Sequence, residues 1–253
     1  MLDKKKMRLI ESRIDSFRIR EKDADERKVM DEVFDQETLL SMYKLFNDKV
    51  VNTLEYAIST GKEGNVFMAT SDEGDCAVKI YRISTATFKN IAKYIVGDPR
   101  FKGLYGSHKK TVMAWAQKEF KNLNRMHDAG VSVPKPKECY KNILVMEYIS
   151  QDGYPALLMK DTKLKTPTKV FRKVLENMRL IQEAELVHGD LSEYNMLMRD
   201  GDPVIIDVGQ AVTLDHPSAE EWFQRDVTNI ANYFSRLGVK TNTERMIKKI
   251  RGG

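Results

Sequence analysis

Between Leu186 and Gly209 three short apolar runs alternate with polar loops, and the loops carry acids at set intervals. Leu186-Val187 reads as a strand entering a loop at Gly189, and Met196-Leu197-Met198 as a second strand. Asp200-Gly201 is a turn signal, and Pro203-Val204-Ile205-Ile206 is a third strand that ends at Asp207. A hairpin of this kind brings Asp207 back beside Asn195, which lies five residues past Asp190. Taken singly, Asp190 and Asp207 are ordinary loop acids at strand ends. In register with an asparagine they supply what phosphoryl transfer needs: one carboxylate to receive or orient the nucleophile's proton, and further oxygen ligands to hold magnesium against phosphates. Asp190 fits the first role, and Asn195 and Asp207 fit the second.

The rest of the composition bounds the setting. A chain of 253 residues with 42% apolar side chains buries a core as one large domain or two small ones. Its net charge of +5 favours acidic partners such as RNA, or serves solubility. Cys76 and Cys139 are far apart and lack metal-ligand spacing, so a disulfide framework or zinc site is not expected and a reducing, cytosolic setting is. No signal-peptide pattern opens the sequence, and the longest apolar run, Val112 to Ala116, is too short to span a bilayer.

Upstream, residues 1–48 are densely charged, with Met7, Ile10, Ile14 and Phe17, then Leu39, Tyr43 and Phe46, at helical spacing. Two amphipathic helices are expected there, with charged faces in solvent or used for docking. Ser59-Thr60-Gly61-Lys62-Glu63-Gly64 separates two strand patterns, a turn able to lay backbone N–H groups over phosphates. Lys79 on the following strand is placed to meet α- and β-phosphates. The helix expected over Thr111 to Ala129 carries Val112, Trp115, Ala116, Leu123 and Met126 on one stripe, and Glu119 falls on that stripe. An inward carboxylate needs a cation, and Lys79 is the expected partner. Between them, about 82–110, Arg82, Lys89, Lys93, Arg100, Lys102, Lys109 and Lys110 face the single acid Asp98, which reads as a mobile basic insertion able to contact RNA or to carry a regulatory hydroxyl such as Ser107. Asn142 to Tyr148 reads as a buried strand, after which the backbones of Glu147 and Ile149 could meet an adenine edge against Met146. Thr166 caps and Pro167 opens a helix with Val170, Val174, Leu175, Met178 and Ile181 inward. His188 is expected to orient the loop rather than carry a proton. Helices are expected around Ala219 to Leu237 and Thr243 to Ile250.

In this order, the glycine turn, Lys79, Glu119, Met146 to Ile149, His188 to Asn195 and Asp207-Val208-Gly209 resemble the protein-kinase fold. Ser-Thr-Gly-Lys-Glu-Gly-Asn-Val-Phe, Val-His-Gly-Asp-Leu-Ser-Glu-Tyr-Asn and Ile-Asp-Val-Gly-Gln-Ala-Val look like the RIO family of atypical kinases, its first subfamily and archaeal members above all. His216-Pro217-Ser218-Ala219-Glu220 and Arg225-Asp226-Val227 resemble the RIO tail. The resemblance implies an α+β, bilobal protein-kinase-like fold: an N-terminal helical extension over 1–48, an N-lobe over 49–149 and a reduced C-lobe over 150–253. It implies Asp190 as proton acceptor, Asn195 and Asp207 as ligands of Mg2+ or Mn2+, and Lys79 with Glu119 as the phosphate-positioning pair. Ser59, Gly61 and Lys62 belong to the phosphate loop, and Met146, Glu147 and Ile149 to the adenine site. Gly61 and Gly64 depart from the usual Gly-x-Gly-x-x-Gly spacing, and Val208 stands where the usual motif has phenylalanine.

The implied activity is ATP- and Mg2+-dependent serine/threonine phosphorylation, including autophosphorylation, in maturation of the small ribosomal subunit with contacts to its RNA. The main alternative is an ATPase switch without a protein substrate, in which Asp207 is transiently phosphorylated. A small-molecule phosphotransferase is disfavoured by the forty-four residues after Gly209, which also lack an Ala-Pro-Glu motif. A scaffold without catalysis is disfavoured by the presence of Lys79, Asp190, Asn195 and Asp207. The oligomeric state and the physiological phosphoacceptor are not readable from the sequence.

Overall fold

The computed structural model describes residues 34–61, 64–83, 94 and 107–252. The chain divides into two compact units. The first holds Met1–Phe88, Tyr105–Gln117 and Pro136–Tyr148, and the second Lys89–Leu104, Lys118–Lys135 and Ile149–Gly253. Met7, Ile10, Ile14 and Phe17, Lys62, and most of the basic insertion lie outside the described residues.

The first unit holds an antiparallel sheet, a helix that covers one of its faces, and the first part of a longer helix. Strands β1 (Thr53–Thr60), β2 (Gly64–Ser71), β3 (Gly74–Tyr81), β4 (Pro136–Tyr140) and β5 (Ile143–Glu147) lie in the order β1-β2-β3-β5-β4. The period-two alternation of β2 puts Phe67 and Ala69 on one face, joined there by Cys76, Val78 and Ile80 of β3 and Ile143 and Val145 of β5. Helix α1 (Gln36–Asn47) covers that face with Met42, Leu45 and Phe46, while Leu39 and Tyr43 are only partly buried, so the helix is rotated from the stripe read in sequence. Its start is fixed by Asp35, whose Oδ1 accepts the Thr38 N–H at 2.8 Å. Glu37 ties α1 to the start of helix α2 (His108–Asp128) and to the turn between β4 and β5, lying 2.5 Å from Lys109 and 3.3 Å from Lys141. Those two ammonium groups hold the Glu37 carboxyl below its ordinary range. The sheet's other face includes Val66, directly across from Lys79. Gly64 has no alternative at its position, since a Cβ there would fall 2.6 Å from the Ile80 carbonyl oxygen.

The second unit is mainly helical. Helix α2 (His108–Asp128) gives it the portion from Lys118 onward and stops at Gly130, whose φ of +80° suits only glycine. Helix α3 (Pro167–Glu183) buries Val170, Val174, Leu175, Met178 and Ile181, as its periodicity predicts. Thr166 occupies the cap position but its side chain makes no capping bond, contrary to expectation. The Thr166 carbonyl instead accepts from Lys169 and Val170, and Pro167 pre-sets the first turn. Strands β6 (Ser150–Gln151) and β7 (Tyr154–Pro155) precede α3, and β8 (Leu186–Val187), β9 (Met196–Arg199), β10 (Asp202–Ile205) and β11 (Val212–Thr213) come after it. β9 and β10 form the hairpin read from sequence, with Arg199 opposite Asp202 and Met196 opposite Ile205; β8 pairs with β11. Helices α4 (Ala219–Arg236) and α5 (Thr243–Ile250) complete the unit.

Phe67 is fully buried between the sheet and α1. Phe67→Ala should lower stability by about 3–5 kcal/mol, read as a fall in the denaturation midpoint; a loss below about 1 kcal/mol would mean this face is not the core of the unit.

Candidate active site

The residues singled out in sequence divide between the units. Ser59, Gly61, Lys79, Met146 and Glu147 belong to the first, and Glu119, Ile149, Asp190, Asn195 and Asp207 to the second. The expected Lys79–Glu119 pair joins residues of different units and remains an expectation. In the first unit, Ser59 and Gly61 are exposed at the end of β1, and the Gly61 N–H closes the turn onto the Gly64 carbonyl at 3.0 Å. Lys79 Nζ lies 5.3 Å from the centre of the Tyr81 ring, two residues along the same strand. Met146 lies opposite Ala77 and Glu147 opposite Cys76.

In the second unit the hairpin gathers the polar set. The Ile206 N–H donates to the Asn195 carbonyl at 3.0 Å, which fixes Asp207 next to the end of the 188–195 loop. Asn195 Nδ2 donates to the Asp190 carbonyl at 2.7 Å and lies 3.4 Å from Asp190 Oδ2. With its amide nitrogen committed there, Asn195 Oδ1 is the group left to act as an oxygen ligand. Asp207 sits in left-handed backbone, φ 58° and ψ 50°, a strained conformation for a residue with a Cβ, and begins a short 3₁₀ turn, Val208–Gln210. A carboxylate and an amide oxygen are hard donors that fit Mg2+ or Mn2+. The Ile149 carbonyl accepts the Ala156 N–H at 3.0 Å.

His188 is 2% exposed, and burial holds its imidazole below the ordinary range, so it stays neutral. Its Nδ1 accepts the Asp190 N–H at 3.3 Å, which leaves Nε2 as the protonated nitrogen donating to the Ile206 carbonyl at 3.3 Å. The ring thus ties the Asp190 loop to the Asp207 strand, the orienting role expected of it.

Sequence reasoning missed the groups that hold these loops. Asp226 on α4 accepts the N–H of Gly189 through Oδ2 and of Leu191 through Oδ1, each at 2.8 Å, clasping the backbone on either side of Asp190. Arg225 donates to the Gly189 carbonyl and Asn229 to the Leu191 carbonyl at 3.2 Å. Burial pushes the Asp226 carboxyl up to about 7 despite those two N–H bonds. Gly189 has φ +80°, and a Cβ there would meet the Gln210 carbonyl oxygen at 3.3 Å and Trp222 at 3.4 Å. Facing the Asp207 segment, Lys118 is fully buried and donates to the carbonyls of Gly209, at 2.9 Å, and Ala211. Asn122, one turn on, donates to Val208 at 2.8 Å and Ala211 at 2.9 Å. The sequence signals were Lys118, Glu119 and Asn122 on the side of α2 that also carries Trp115, Leu123 and Met126, and the Arg225-Asp226-Val227 run of the tail.

The family model for the RIO domain matches residues 65–247. The RIO-type serine/threonine-protein kinase Rio1 of Haloferax volcanii is 44% identical over 94% of this chain and 82% of its own length. Its counterpart in Methanocaldococcus jannaschii is 40% identical over 90% of this chain and 79% of its own, whereas the chain spans about half, 48%, of the Caenorhabditis elegans serine/threonine-protein kinase RIO1, at 39% identity over 93% of the chain. Among solved structures, the Chaetomium thermophilum Rio2 kinase in complex with ADP, Mg2+ and phosphoaspartate superposes with a TM-score of 0.64 at 23% identity, over 84% of this chain and 66% of that one. This likeness carries the fold, an α+β protein-kinase fold.

Two outcomes test the loop supports. Lys118→Met removes a buried ammonium and leaves the Gly209 carbonyl short of a donor, and should cost about 2–4 kcal/mol of stability with faster amide exchange at Val208 to Ala211; unchanged exchange there would show that the segment holds itself. For Asp226 the folded carboxyl titrates near 7 and the unfolded one near its ordinary value of 3.8, so the folded state binds the extra proton between them. Wild-type stability relative to Asp226→Asn should therefore fall as pH rises from about 4 to 7 and level off above. His188 gives the opposite slope below its ordinary pKa in both proteins and cancels in the difference. A difference that is flat across that range would place the carboxyl at its ordinary pKa.

Proposed function

Because the chain belongs to the RIO family of serine/threonine-protein kinases, we propose that it transfers the γ-phosphoryl group of ATP to serine or threonine hydroxyls, its own among them. The observation that carries this reading is the convergence of Asp190, Asn195 and Asp207 through the 2.7 Å Asn195–Asp190 bond and the 3.0 Å Ile206–Asn195 bond. Asp190 is the proton acceptor, held by its own N–H on His188 and by the flanking N–H groups on Asp226. Asn195 Oδ1 and the Asp207 carboxylate would hold Mg2+, or Mn2+ in its place; the ion supplies charge neutralisation on the β- and γ-phosphates. Lys79 and Glu119 would each take the phosphate-positioning role that the sequence pattern gives them. Ser59, Gly61 and Lys62 line the phosphates, while Met146 walls the adenine site and Glu147 and Ile149 meet the base through their backbones.

The second reading is an ATPase whose turnover switches its association with the maturing small ribosomal subunit and that subunit's RNA in the cytoplasm. It draws support from the phosphoaspartate in the Rio2 kinase complex, which Asp207 would match by carrying an acyl phosphate during turnover. Among the described residues no helix is long and apolar enough to cross a membrane.

Single-turnover reaction with γ-labelled ATP and Mg2+ separates the two. Hydroxylamine-resistant label on serine or threonine, lost in Asp190→Ala while nucleotide binding persists, supports the kinase. Hydroxylamine-labile label lost in Asp207→Asn, with steady release of phosphate, supports the switch. Full activity in Asp190→Ala would remove that residue as the proton acceptor.

A further inference from the structure

The chain's positive charge is concentrated where neither the glycine turn nor the catalytic loops lie. Residues 162–175 and 240–251 hold ten lysines and arginines against one acid, Glu244. The rest of the chain, with thirty-two basic and thirty-six acidic residues, is net acidic. The fold brings the two segments together, because α3 packs against α5, and Lys249 of α5 lies near enough to Glu176 of α3 to lower its carboxyl's pKa, after the larger effect of Arg179. On α3 the apolar arc from Val170 to Ile181 is turned inward, which leaves Lys169 and Arg172 exposed on the outer side together with Glu176 and Glu183, whose carboxylates are paired with Arg179. On α5, Met246 and Ile250 are buried while Arg245, Lys248 and Lys249 are exposed. Lys173 and Arg251 are engaged by Asp202 and Glu220, so their charge is already answered within the chain.

We infer that this α3–α5 face binds the phosphate backbone of double-helical RNA. A docking face for a folded protein has an apolar centre, and none of the large exposed apolar residues lies on α3 or α5. The same absence disfavours a membrane surface, where an amphipathic helix buries apolar side chains among the lipids; here those side chains are spent on the core. Single-stranded RNA is held by stacking on aromatic rings, and the outer side of these two helices carries none. What remains is a broad cationic surface suited to phosphates presented by a duplex. The inference rests on the reading of the chain as a factor that acts on an RNA-containing particle, and it places the contact outside the basic insertion.

The test measures binding of a fluorescein-labelled RNA duplex by anisotropy as a function of salt, for wild type, Arg172→Glu/Lys248→Glu and a matched control, Lys49→Glu/Lys135→Glu. The α3–α5 double variant should bind about tenfold or more weakly at low salt, with the slope of log affinity against log salt reduced by about two, one for each lost phosphate contact. Its phosphotransfer and melting temperature should match wild type, since both residues are exposed and remote in sequence from the catalytic loops. Equal weakening in the control would reduce the effect to net charge and overturn the assignment. So would wild-type binding to phosphatidylserine vesicles or poly-uridine that the double variant loses while keeping the duplex. Tighter binding to duplex DNA than to RNA would overturn the choice of RNA. A wild-type protein that binds no RNA would sink the particle-bound reading itself, whereas wild-type binding retained in full by the double variant would sink only this face.

Discussion

One buried carboxylate sets the shape of the 188–195 loop. Loop N–H groups that have no strand partner must find an acceptor or bear the cost of burial without one. Asp226 meets that need for Gly189 and Leu191 at once, so the residue between them is presented in one orientation. The helix that carries it is fixed in turn by the burial of Trp222, Phe223, Val227 and Ile230. Arg225 and Asn229 then take the carbonyls of the same two loop residues, so α4 reads both sides of the backbone from three positions within about one turn. A position for Asp190 is thereby converted into a question of how an apolar helix packs. Gly189 follows from the same geometry, because its left-handed backbone strains any residue with a Cβ and that Cβ would crowd the Gln210 carbonyl oxygen.

Much of this was legible in the chain, for reasons that differ by element. The β9–β10 hairpin could be read because Asp200-Gly201 is a turn signal between two apolar runs, and its pairing places Asn195 and Asp207 as expected. The inward direction of Glu119 followed from 3.6-residue periodicity, and it is 2% exposed. The inner arc of α3 followed for the same reason. The α1 stripe was read one position off, because its contact side is set by the sheet's buried face rather than by the helix's own pattern. Thr166 was expected to cap because its residue type and place suit a cap, but backbone donors from Lys169 and Val170 reached its carbonyl and its hydroxyl was not used. Lys118, Asn122 and Asp226 were missed altogether as supports. Their partners are carbonyls and N–H groups, which every residue has, so no spacing of side chains marks the contact in advance.

Charge illustrates the same divide between pattern and placement. A net charge of +5 is a modest number that sequence could assign to solubility or to RNA. Its physical meaning depends on folding, since residues 162–175 and 240–251 are far apart in the chain and adjacent in the structure. A field that adds over one surface attracts a polyanion far more than the same charges spread evenly, because separations beyond about 10 Å are screened at ordinary ionic strength.

The segment after Asp207 shows why replacing phenylalanine by Val208 is more than a change of side chain. Val208 is itself fully buried, and its carbonyl is held by Asn122 while the next carbonyl is held by Lys118. Turning this segment over would strand a buried ammonium and a buried amide, each an unfavourable event by itself. The left-handed backbone of Asp207 persists because the residues on both sides are tied down, Ile206 to Asn195 and His188, Val208 to Asn122. In a loop clamped from the carbonyl side, control of the Asp207 backbone shifts from the residue after it to the donors on α2. The same helix that carries Glu119 therefore also sets the backbone of Asp207, and any movement of α2 in its second-unit portion reaches both groups together.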